Sequence, residues 1–277
     1  NSTPAQTDSA ATGLPGGTYT LNVTDAVGCT DSGSVTITEP SGLVTTITSS
    51  TMVSCFGDAT GSATGSASGG VTPYTFLWDD GSAQTDSTAT GLVAGAYEVM
   101  VTDSNGCMDS VTVLIAEPIA PLSATITAST DLVCNGVATG DITVTGAGGT
   151  IAYTYLWDDP SAQTNATATG LLAGLYLVII TDANACSDSD TITLTEPSAL
   201  ALVISAFSDA NCGSSDGMAT VTPSGGIGAY TYLWDDSGAQ TDSVANGLSA
   251  ASYQVVVTDG NGCQDSISQN INNLGGG

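Results

Sequence analysis

The chemistry open to this chain sits in its 27 carboxylates and seven cysteines, because its 277 residues include no lysine, arginine or histidine. Without histidine there is no Ser-His or Cys-His pair to activate a nucleophile. Without lysine there is no Schiff base and no Lys–Asn isopeptide crosslink. Asp31-Ser32-Gly33 matches the short signature of aspartic proteases, but three residues at an expected hairpin do not specify a catalytic dyad. Abundant Asp leaves room for a glycosidase-type carboxylate pair, although solvated loop carboxylates are the plainer reading. The chain is expected to be no enzyme, with no catalytic residues and no organic cofactor.

Carboxylates without cationic partners need water or metal, and calcium takes six to eight oxygens. Asp58, Asp79, Asp80, Glu117, Asp182 and Asp188 are candidate calcium ligands if successive units of the chain meet end to end. Asp103, Asn105 and Asp109 also place oxygens at short spacing. The competing reading of Asn105-Gly106 is an ordinary hairpin turn, with Asp103 capping its own backbone.

The elements that position these groups recur. Leu-Trp-Asp-Asp occurs three times, with Trp78, Trp157 and Trp234 spaced by 79 and 77 residues. A Gly-Gly turn precedes each aromatic strand, as in Tyr153 to Trp157. Ala-Gln-Thr follows at Gln84, Gln163 and Gln240. Then comes Leu-x-x-Gly-x-Tyr at Leu92/Gly95/Tyr97 and Leu171/Gly174/Tyr176, and with Ala251 in place of Gly at Leu248/Tyr253. A Thr-Asp strand end leads to Cys107, Cys186 and Cys263, and the unit closes on Glu-Pro at Pro118 and Pro197. Residues 1–40 carry only the second half: Gln6, Leu14/Gly17/Tyr19, Cys29 and Glu39-Pro40. The expected segments are a truncated repeat over 1–40 and full repeats over 41–118, 119–197 and 198–277. Beginning inside a repeat without a signal peptide is what an internal fragment would show.

Within a unit, Ser123 to Ser129, Asp141 to Thr145, Tyr153 to Trp157, Leu175 to Thr181 and Thr191 to Thr195 are short runs rich in Val, Ile, Thr and Tyr. Gly, Pro, Asn and Asp separate them. About seven strands per unit predict an all-β chain of tandem immunoglobulin-like (PKD-like) β-sandwich repeats in an extended array. Alternation puts Tyr153, Tyr155 and Trp157 on one face, and Tyr97, Val99 and Val101 on one face of a later strand. Leu-Trp is expected in the core, with Asp-Asp at the end facing the next unit. Leu-x-x-Gly-x-Tyr resembles a tyrosine corner.

Cysteines at 29, 55, 107, 134, 186, 212 and 263 recur at paired positions, which predicts cystines in a secreted chain. Two pairings stay open. Within repeats, the bridges are Cys55–Cys107, Cys134–Cys186 and Cys212–Cys263. Across junctions they are Cys55–Cys186 and Cys134–Cys263. The second scheme is suggested because the A–B and F–G loops of a sandwich lie at opposite ends, about 20 Å apart, whereas bridged Cα atoms lie within about 7 Å.

The formal charge of −27 argues against nucleic acid and anionic lipid as partners, since phosphate binding relies on basic residues. The longest apolar run, Leu171 to Ile180, is too short to span a bilayer, so no membrane insertion is expected. With 41% apolar residues in strand-like patterns, the chain should fold rather than behave as an acidic disordered tail.

Cys-x-Gly-x-x-x-Gly (Cys134, Gly136, Gly140), Gly-Gly-x-x-x-Tyr-x-Tyr-Leu-Trp, Leu-x-x-Gly-x-Tyr and Val-Thr-Asp-x-Asn-Gly-Cys together resemble the SprB-type repeat of giant surface adhesins in gliding Bacteroidota. The resemblance covers essentially the whole chain. It implies export by the type IX secretion system, an extracellular cell-surface filament, and a role in attachment or gliding. Partners would be neighbouring repeats, other copies in a bundle, or a surface or glycan ligand. A stalk is the first reading and a ligand-binding module acting through its loops the alternative. The last repeat departs from the pattern at Ala251 and at Asn270-Ile271-Asn272-Asn273, where Glu-Pro is expected. The O-glycosylation pattern associated with that group, Asp-Ser/Thr before a small or aliphatic residue, fits Ser9, Ser87, Ser110, Thr191, Ser243 and Ser266.

Overall fold

The computed structural model describes residues 5–275, and among them there is no helix. The chain divides into two compact units, residues 1–118 and 119–277. In the first, β1 (Gly17–Thr24) and β2 (Thr30–Ile37) form a hairpin, and β3 (Val44–Thr51), β4 (Gly61–Ser68), β5 (Thr75–Trp78), β6 (Thr88–Leu92), β7 (Gly95–Thr102) and β8 (Met108–Ile115) form a complete module. The second unit holds two modules. One has β9 (Ser123–Thr130), β10 (Gly140–Ala147), β11 (Thr154–Trp157), β12 (Thr167–Leu171), β13 (Gly174–Thr181) and β14 (Ser187–Leu194). The other has β15 (Ala201–Ser208), β16 (Ala210–Asn211), β17 (Gly217–Ser224), β18 (Thr231–Trp234), β19 (Val244–Leu248), β20 (Ala251–Thr258), β21 (Gln264–Ile271) and β22 (Asn273–Leu274).

Each module pairs two antiparallel three-stranded sheets, ordered β3-β4-β6 and β5-β7-β8 in the first and repeated in the others. In immunoglobulin letters these are A-B-E facing C-F-G. The fold is all-β and immunoglobulin-like, with six main strands per module rather than about seven. Thr167–Leu171 carries little apolar signal in the sequence, since its only buried apolar side chains are Ala168 and Leu171. Period-two alternation builds the core: Ile142 and Val144 from β10 face Val178 and Ile180 from β13 around Trp157, which is 1% exposed. Tyr153, Tyr155 and Tyr176 pack against or within this cluster.

One expectation is corrected here. The Leu of Leu-Trp-Asp-Asp is not core: Leu77, Leu156 and Leu233 are 43%, 49% and 53% exposed. Adjacent residues of a strand point to opposite faces, so burying the Trp turns its Leu neighbour outward. The β1–β2 hairpin shows the same alternation without a covering sheet. Leu21 and Val23 are exposed where their counterparts Val99 and Val101 are buried.

Candidate functional site

Carboxylates with no cation to pair with have turned to the backbone. Asp103 Oδ2 accepts from the amide of Val71, and its Oδ1 accepts from the amides of Asn105 and Cys107, all at 2.8–2.9 Å. Asp182 does the same with Thr150, Asn184 and Cys186, and Asp259 with Ile227, Asn261 and Cys263. Each of these Asp side chains is buried and ties the F–G turn to the turn between strands B and C. The Gly-Gly turn is required for this approach. A Cβ on Gly149, whose φ is +55°, would lie 2.6 Å from Asp182 Oδ2. Charge-assisted amide bonds favour the ionised form. The Val71 amide is the largest influence on Asp103 and the Ile227 amide the largest on Asp259. For Asp182 desolvation is the largest single influence and pushes upward, but the three amides together outweigh it. All three carboxyls are held below the ordinary carboxylate value.

The Asp-Asp pair also serves its own module. Asp79 Oδ1 accepts from the Glu98 amide at 2.8 Å, while the Asp79 amide donates to the Glu98 carbonyl, so C-to-F pairing runs one residue past β5. Asp80 accepts from the amides of Ser82 and Gln84 and from Gln84 Nε2. Gln84 in turn exchanges two bonds with the backbone of Thr90. This explains the invariance of Ala-Gln-Thr: the Gln side chain acts as a strand segment bridging the turn. Tyr97, Tyr176 and Tyr253 donate to the carbonyls of Val93, Leu172 and Ser249, the tyrosine-corner bond.

Most of the calcium candidates bond backbone amides within their own module. Asp109 and Asp188 cap edge-strand amides, those of Thr45 and Ala124 at 2.6 and 2.7 Å. Glu117 Oε2 accepts from the Gly57 amide at 2.7 Å, and the Asp58 amide donates to the Cys55 carbonyl. Asn105 contributes its amide to Asp103. Among the described residues no group of three or more His, Cys, Asp or Glu side chains is placed to hold a metal ion. Of the glycosylation candidates, Ser9, Ser87, Ser110, Thr191 and Ser266 are exposed and Ser243 is half-buried. Ser110 Oγ donates to Glu98 Oε1 at 2.5 Å.

Within residues 119–277 the two modules are joined covalently: Cys134, in the A–B turn of one, is bonded to Cys263, in the F–G turn of the next, with Cα atoms 5.7 Å apart. Asn261 Nδ2 adds a 2.9 Å bond to the Val133 carbonyl. Cys134, Val137, Leu200 and Gln264 line an open cleft of ≈ 440 Å³ at this junction. The within-repeat scheme is therefore corrected. Cys134–Cys186 is not formed, and Cys107 and Cys212, like Cys29, are free thiols, which removes Cys55–Cys107 and Cys212–Cys263. Cys55 and Cys186 are both oxidised. The reason is geometric. Asp188, two residues after Cys186, bonds Ala124 at the start of β9, whereas Cys134 follows the end of β9. An eight-residue strand separates them, about 25 Å at 3.3 Å per residue.

Glu-Pro, which the sequence offers only as punctuation, positions that bridging turn. Glu196 Oε2 accepts from the Gly136 amide at 2.7 Å, and Asn135 Nδ2 donates to the Pro197 carbonyl. The sequence signal for this turn is the glycine of Cys-x-Gly, Gly136, which adopts a φ of +70°. In the last module, where Glu-Pro is missing, β16 pairs in parallel with β22 instead.

The family model described as SprB repeat matches residues 47–83, 126–162 and 204–239, from strand A to the Asp-Asp turn of each full module. No curated protein matches the chain in sequence. Among solved structures, similar chains include three N-terminal domains of the bacteriophage RB49 Highly Immunogenic Outer Capsid protein (13% identity, 84% of this chain and 100% of that one, TM-score 0.38). Others are the N-terminal eight Ig domains of Down Syndrome Cell Adhesion Molecule (12%, 93% and 51%, 0.30) and a tetra-tandem repeat in the extending region of a large adhesion protein (17%, 95% and 84%, 0.27). The SprB repeat model thus matches this chain three times in tandem, at the same place in each complete sandwich.

Proposed function

We propose that this chain is a non-catalytic stalk segment of a secreted cell-surface adhesin, holding adhesive elements away from the cell. The observation that carries the reading is the covalent junction between consecutive SprB repeats at Cys134–Cys263, because a bridged joint resists bending where a plain linker would not. The absence of basic residues supports it further: a strongly anionic surface keeps an exposed array soluble. Export by the type IX system and service in attachment or gliding are the finer form of the same proposal.

Small-angle scattering on the purified chain tests the stalk reading. A compact globule of this length has a radius of gyration of about 19 Å. A spacer array should give a value well above that, and a value near 19 Å would overturn the proposal.

A further inference from the structure

Cys134 and Cys263 are one rung of a pattern, and other cysteines stand ready for the same bond. Cys212 occupies the A–B turn of the last module as Cys134 occupies that of the module before, and it is an exposed free thiol. The residue two before each is held in the same way: Leu132 donates its amide to Thr195, and Ala210 donates its amide to Asn272. The turn after Cys212 is one residue shorter than that after Cys134, reaching the next strand at Gly217 rather than by the spacing of Cys134 to Gly140. Its free thiol nonetheless remains at the surface.

The complementary half is present too. The F–G turn that delivers Cys263 is built on Asp259, which accepts the amides two and four residues on. Asp25 accepts the amides of Val27 and Cys29 in the same way, and Asp103 those of Asn105 and Cys107. In each turn the Asp amide donates back to the Cys carbonyl, Asp25 to Cys29, Asp103 to Cys107 and Asp259 to Cys263. Cys29 and Cys107 are thus presented by the same turn that presents Cys263, and both are exposed free thiols.

We propose that Cys212 is a coupling site for the F–G turn of another SprB repeat, here a second copy of this chain joined head to tail through its Cys29 or Cys107. The reaction is thiol–disulfide exchange with a small-molecule disulfide as oxidant. The Cys212 thiolate attacks oxidised glutathione, forming a mixed disulfide and releasing one reduced glutathione. The F–G thiolate of the second copy then attacks the protein sulfur and displaces the second. Two thiol protons and two electrons leave the protein, and one glutathione disulfide becomes two thiols. The proposal concerns the joint and holds whether or not the array serves as a stalk.

The test mixes unlabelled and 15N-labelled full-length chain at high concentration, in salt sufficient to screen the −27 charge, with oxidised glutathione. Crosslinked peptides are then read without reduction. The expected result is isotopically mixed Cys212–Cys29 or Cys212–Cys107 peptide, several-fold above Cys212–Cys212, Cys29–Cys29 and Cys107–Cys107, with Cys134–Cys263 intact as internal control. Cys212→Ser, a surface change, should leave that control intact and abolish the head-to-tail species. Equal yields of all free-thiol pairings, or glutathione adducts on Cys212 with no protein crosslink, would overturn the proposal.

Discussion

Replacing Trp157 by Ala separates a set of quasi-independent modules from a single cooperative body. Trp157 is 1% exposed at the centre of its cluster, and its Nε1 donates to the Asn165 carbonyl at 2.9 Å. Truncating a buried aromatic to Ala costs about 3–5 kcal/mol. A domain of this size has about 4–12 kcal/mol in total, so the loss takes a large share of that module's stability. Neighbouring modules contribute only through their junctions. Urea unfolding followed by fluorescence of Trp78 and Trp234 and by far-ultraviolet circular dichroism should then show two phases. With a slope of about 1–3 kcal/mol per molar urea, the damaged module should melt about 1 M or more below the rest. A single transition at a lower midpoint, or no shift at all, would refute the modular reasoning. Trp157→Phe should fall between the two, because it keeps most of the volume but leaves the Asn165 carbonyl unpaired.

Three further outcomes follow from the same geometry. Removing the bridge with Cys134→Ser and Cys263→Ser, which spans 129 residues, should cost up to about 5 kcal/mol on the chain-entropy account, seen as a lower urea midpoint for residues 119–277. The carboxyls of Asp103, Asp182 and Asp259 are lowered in the folded state. Their contribution is therefore complete above the ordinary carboxylate range and is lost as pH falls through it toward the lowered folded values. Melting temperature should drop on acidification, and by less in Asp182→Asn. At fixed ionic strength, chelator and millimolar calcium should give the same melting curve, because the candidate carboxylates other than Asp58 already accept backbone amides. A calcium-specific rise would show that they regroup around the ion.

The repeat, the sandwich class, the Trp core and the tyrosine corner were legible because each is a local pattern: a period, an alternation, or a bond four residues long. Asp103 capping its own turn was legible in the same way, but the long-range carboxylate bonds were not. Asp103 meets Val71 at a separation of 32 residues and Asp109 meets Thr45 at 64, so their amide partners emerge only when turns from distant strands come together. Lacking those partners, the sequence pointed to water or metal. Leu156 faces outward because its strand neighbour Trp157 faces inward, an alternation that the recurrence of Leu-Trp as a pair obscures. The cysteine pairing depended on which end of β9 each turn occupies, which spacing alone leaves open.

The central claim is that consecutive SprB repeats are bridged across their junction and not within a module. Digestion of the unreduced chain with an Asp-specific protease, followed by mass spectrometry, tests it directly, since trypsin has no site to cut. A Cys134–Cys263 peptide is the predicted result, and a Cys134–Cys186 peptide would contradict the account.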